Sequence, residues 1–186
     1  MKKKNLIILL ITILFTSNIH AQTYITRNGK ITFTSNAPIE KIQAVNNEVT
    51  SIFDSKKGEL GFVVLIKGFK FKKALMEEHF NENYMESNAY PKANFKGEIA
   101  DIKKVIFDKE GSYPVTIKGN LTIHGVTKFI EVPGFIKVAG GNISAGSNFN
   151  IKIKDFKIKI PNTVVNNIAE IVELSVECKY VVYKKG

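Results

Sequence analysis

Few side chains in this 186-residue chain could do chemistry: three histidines, one cysteine and the carboxylates beside them. His79 stands in Glu77-Glu78-His79-Phe80-Asn81-Glu82, where Glu78 or Glu82 could join it on a metal ion or a carboxylate could pair with it for proton transfer. His124 precedes Gly125, and a reversal that needs positive φ accounts for that pair without any chemistry. Cys178 falls in phase with Leu174, Val176 and Tyr180, so it reads as a small apolar core residue rather than a reactive thiol. HExxH, CxxC and GxSxG are all missing. Gly140-Gly141 and Gly146 lie between or within strand-like runs, with no strand-to-helix step to make a phosphate loop. Chemistry through His79 stays open, but no spacing demands it.

The element that must position His79 is a short helix. Leu75, Met76, His79 and Phe80 fall at i, i+1, i+4 and i+5, one helical stripe, while Lys73, Glu77, Glu78 and Asn81 face water. Residues 81–83 read as its stop, and Tyr90-Pro91 forces extended backbone before the next element. Everything around it alternates with the period of two of half-buried strands. Residues 31–34, 39–45 and 49–53 are strand candidates, separated by breaks at Asn28-Gly29, 36–38 and Asn46-Asn47. Residues 60–66 are apolar on both phases, which predicts that the helix or a loop covers the second face. Phe95, Gly97 and Ile99 begin a further set of inner rows. It continues through Ile117, Leu121 and Ile123, then Ile130 and Val132, then Ala145, Ser147 and Phe149, and closes with Val172 to Val182. The phase slips near Lys154-Asp155, the sign of a bulge or corner. The fold class is all-β: about eight or nine strands in a closed antiparallel barrel or a sandwich, with one short helix near residues 72–81 as its candidate lid or plug. Eight strands enclose about enough room for one small ligand. A lipid-facing barrel would carry aromatic girdles, and this chain has no tryptophan.

Lys2, Lys3 and Lys4, an apolar run over 6–15 and Ala21 make residues 1–21 a secretory signal peptide, so the expected mature domain spans 22–186. An uncleaved anchor is the alternative, but the run is short for a membrane span. Taking away those three lysines leaves 24 of 27 basic residues against 17 acidic ones, a net charge of +7. The lysines are spaced singly along outward strand positions, as in Lys152, Lys154, Lys157 and Lys159, which suits solvation and edge protection rather than nucleic-acid binding. One cysteine allows no intramolecular disulfide, so a core must supply the stability.

LMEEHFNENYMES (75–87) followed by YPKANFKG (90–97) resembles the signature of the YceI-like family. GNLTIHGVTK (119–128), SNFNIKIKDFKIKIP (147–161) and the valine-rich closing strand resemble the same family in the same order. The resemblance implies an antiparallel, lipocalin-like β-barrel of about eight strands in a bacterial protein that binds a polyisoprenoid or quinone-like lipid in the periplasm, with no other cofactor. On that reading the helix would contribute Leu75, Met76, His79 and Phe80 to a ligand site. The inner rows would add Phe62, Val64, Phe95, Gly97, Ile117, Leu121, Ala145 and Phe149. Two other functions stay open: an enzyme acting on such a lipid through His79, and a solid barrel with a structural or inhibitory role. A homodimer also stays open.

Overall fold

Alternating apolar residues punctuated by tight turns build a meander, and the computed structural model, which describes residues 22–184, shows where it closes. The strands are β1 (Thr23–Asn36), β2 (Lys41–Asp54), β3 (Glu59–Leu65), β4 (Lys70–Phe71), β5 (Lys92–Ile99), β6 (Gly111–Ile123), β7 (Val126–Ala139), β8 (Asn142–Lys152) and β9 (Ile171–Val182). β1 pairs antiparallel with both β2 and β9, so eight strands close into a barrel, and β4 is a two-residue addition to β2. The signal-peptide expectation falls on residues outside the described ones.

Turn chemistry fixes the reversals. Asp54 Oδ1 accepts from the backbone N–H of Lys56 at 2.8 Å and of Lys57 at 2.7 Å, ahead of Gly58. His124-Gly125 and Gly140-Gly141 each place both residues at positive φ, the hairpin geometry whose twist matches that of the strands.

Two expected breaks are not breaks. β1 runs through Asn28-Gly29 and β2 through Asn46-Asn47 as 14-residue strands whose register slips between Thr26 and Ile31. The turn-forming residues there make a shared bulge that bends both strands. By contrast, the corner expected at Lys154-Asp155 is present: β8 ends at Lys152, and Ile153–Phe156 form a 3-10 turn closed by Lys157 at φ 57°. The second face of β3 is not covered, since Val63 and Leu65 are 39% and 44% exposed. The helix lies elsewhere.

The barrel has two unlike halves. At one end Tyr24, Phe53, Ile136, Val138, Ile143 and Tyr180 are buried, and Phe53 contacts both Tyr24 and Tyr180 with ring centroids 4.9 Å apart. That end is a solid aromatic floor. Towards the other end two seams open. The β2–β3 ladder stops at Thr50↔Val63, and the β7–β8 ladder stops at Phe135↔Gly146. A buried polar side chain staples each split. Asn46 Nδ2 donates to Leu65 O at 2.9 Å across the first, and Ser147 Oγ donates to Pro133 O at 2.6 Å across the second. Residues 66–71 wedge against β2 at the first gap, and residues 153–156 against β7 and β8 at the second.

Candidate functional site

The splayed half encloses a cavity of about 340 Å³, within the range of small-ligand pockets. Its wall is built from the period-two rows: Phe62, Val64, Phe95, Ile117, Leu121 and Phe149 all line it, as do Ile31, Ile130, Val132, Leu174 and Val176. The helix lies over part of its mouth. α1 (Ala74–His79) continues as a π-helical turn over Phe80–Tyr84 rather than stopping at Asn81. Met85 N–H reaches back five residues to Phe80 O at 2.9 Å, and Asn81 Nδ2 donates to Glu77 O at 2.8 Å. That extension keeps Met76, Phe80 and Tyr84 on the cavity side.

Phe80 sets the rotation of the helix by packing among Phe71 at 4.9 Å, Phe69 at 5.6 Å and Phe33 at 6.0 Å between ring centroids. Leu75 is thereby turned out, 61% exposed, and does not line the cavity as expected. His79 lies at the mouth with its surface largely in water. Two further expected lining residues also lie elsewhere. Gly97 belongs to the place where β5 and β6 pass closest, opposite Gly119, and a Cβ on it would be 2.6 Å from the Phe95 ring that covers it. Ala145 pairs with Ile136 and Cys178 in the packed half. The lining residues not expected at the site include strand residues such as Ile31, Phe33 and Leu174, and, from the wedges and the lid, Phe69, Phe71, Tyr84, Ile158 and Ile160. The even-numbered isoleucines after the phase slip were the readable signal for two of them.

The lid is tied down at both ends. Glu77 accepts from Lys70 Nζ at 2.7 Å and from Phe71 N–H at 3.2 Å, and the Lys70 hydrogen bond holds its carboxyl below the usual carboxylate range. Beyond the helix, Glu86 meets His124 Nε2 at 2.7 Å, and Tyr90 packs against the imidazole at 4.5 Å. His124 thus joins the lid loop to the β6–β7 turn.

Few polar groups reach the cavity. Ser147 is spent on Pro133, burial raises the pKa of the Tyr84 hydroxyl, and Glu40 and His79 stand at the mouth. Among the described residues no group of three His, Cys, Asp or Glu is placed to hold a metal ion. Cys178 lies in the packed half, where burial pushes its thiol up to about 11. Such a wall can desolvate and hold an apolar chain, and the rows do not fill the interior solidly.

A closed antiparallel barrel with a floored, helix-capped apolar cavity defines the lipocalin-like class of ligand-binding folds. A YceI-like domain matches residues 19–180, and the chain belongs to that family. Solved structures share the fold. A polyisoprenoid binding domain from Saccharophagus degradans, implicated in plant cell wall breakdown, is 13% identical with a TM-score of 0.75, over 88% of this chain and 99% of that one. BcnA from Burkholderia cenocepacia is 17% identical with a TM-score of 0.68, over 82% and 96%. A Campylobacter jejuni YceI protein is 20% identical with a TM-score of 0.55, over 86% of each chain. No curated protein matches significantly.

Proposed function

We propose that this protein binds a long-chain isoprenoid or comparable amphiphilic lipid in the barrel cavity and carries it without altering it, after export to the periplasm. The apolar cavity of about 340 Å³ under the helix carries this reading. Each buried methylene contributes about 0.8 kcal/mol, so ten or more give adequate gross affinity after ordering costs. The similarity to a polyisoprenoid binding domain supports the choice of lipid. Export rests on the N-terminal lysines, the apolar run and Ala21.

Lipid co-extracted from protein purified from its own periplasm, identified by mass spectrometry, tests the ligand; intact mass tests cleavage near Gln22. A cavity variant makes the first test specific. Val176 is the lining residue of β9 nearest the floor, just before Cys178 and Tyr180. Val176→Phe raises the floor, so uptake of a long fluorescent isoprenoid analogue should fall steeply while a short-tailed one is retained. Equal uptake of both by variant and parent would place the lipid outside the cavity and end this reading.

A further inference from the structure

Three exposed aliphatic side chains stand around the cavity mouth. Ile39, Leu75 and Val165 are 67%, 61% and 48% exposed. Each is the chain neighbour of a lining residue: Glu40, Met76 and Val164 respectively. They come from three elements, the β1–β2 turn, α1 and the segment before β9, and the first and third are joined by Ile39 N–H to Asn166 O at 3.3 Å. Beside them runs a groove lined by Lys41, Lys70, Lys72 and Lys73, which shares Glu40, Ile42 and Met76 with the cavity. Lys70 is paired with Glu77 and Lys73 with Glu40. Among the described residues, no carboxylate pairs with Lys41 or Lys72.

The geometry points to a bilayer-docking surface: the mouth faces an anionic membrane, Ile39, Leu75 and Val165 enter the headgroup–acyl boundary, and Lys41 and Lys72 meet lipid phosphates. Apolar tips flanked by lysines are what an interfacial contact requires. The position does more than bind, because it sets the opening of the apolar cavity against the phase that supplies an apolar guest. The opposite end also exposes apolar side chains, Ile106, Val182 and Tyr183, but they stand over the solid floor rather than beside a cavity.

The chain has no tryptophan, so one can be introduced as a sole reporter. Leu75→Trp should blue-shift with vesicles of phosphatidylcholine plus phosphatidylglycerol, and not with phosphatidylcholine alone. Ile106→Trp at the other end should not shift with either. In co-sedimentation, Lys41→Glu with Lys72→Glu should weaken binding to the anionic vesicles by about tenfold or more. Lys56→Glu with Lys103→Glu, the same charge change at the floor end, should leave it unchanged. Equal loss in both pairs would mean attraction to net charge alone, and would overturn the surface. So would shifts at both tryptophans or at neither. These measurements need no guest in the cavity, so their failure leaves lipid uptake untouched, and failure of uptake leaves them readable.

Discussion

Asn46 is fully buried, which is tolerable only because both ends of its amide are used: Nδ2 on Leu65 O, and Oδ1 on the Glu48 N–H at 2.8 Å. Asn46→Ala leaves those backbone groups unpaired at the β2–β3 split and should cost about 1–3 kcal/mol, read from the denaturant midpoint. Ser147→Ala, losing one bond across the other split, should cost less. Cys178 makes a pH statement. The folded thiol keeps its proton where the unfolded thiol, near 9.0, releases it, so unfolding becomes easier as pH rises from there to about 11. The contribution is about 2–3 kcal/mol, fully present below that window and lost through it. Burial raises Tyr180 well above its ordinary value too and adds to the same alkaline loss. Cys178→Ala should flatten the slope between pH 9 and 11 in chemical-denaturation series. Cys178 was readable from its phase. Asn46 was not, because an asparagine that staples a split and one that starts a turn look alike until the partner strand is known.

Among the elements, the helix was legible and its rotation was not. Leu75, Met76, His79 and Phe80 make one stripe in sequence, but the aromatic pocket formed by Phe33, Phe69 and Phe71 chooses which edge of that stripe goes inward. Those three residues come from β1, β4 and the wedge before it, so no local pattern could reveal the choice. The wedges themselves were poorly visible for the same reason: they fill gaps left by ladders that stop early, and ladder length is a property of two strands. Phe80→Ala should release the lid more than it unfolds the barrel. A half-buried ring removed at the rim should cost at most the low end of the about 3–5 kcal/mol typical of buried phenylalanine. Exchange of a bound fluorescent lipid should meanwhile speed up markedly. An unchanged off-rate would mean that the helix does not gate the cavity.

For the molecule as a whole, alternation and turns gave an antiparallel barrel or sandwich and the family resemblance chose the barrel, while the division into a solid half and a splayed half was not legible. Gly97 and Ala145 show why. Both sit on inward phases, and only the pairing of β5 with β6 and of β8 with β9 places one under a ring and the other over the floor. The division predicts unequal stability along the barrel axis. Backbone amides near Phe53, Val138 and Tyr180 should exchange hydrogen only by global unfolding, whereas those near Ala44, Phe71 and Phe149 should exchange by local opening. Lipid binding should raise protection in the second group and leave the first unchanged, which residue-resolved exchange with and without ligand will read.

The aromatic floor also makes the cavity a blind alley. Among the described residues Tyr24, Phe53 and Tyr180 close that end, so a guest that entered past the helix would have to reverse to leave. On the proposed reading a guest would not be threaded from one side to the other: a lipid tail entering first would come out last, with its polar end nearest the door. Among the described residues the barrel has the form of a vessel closed at one end, not of a tunnel.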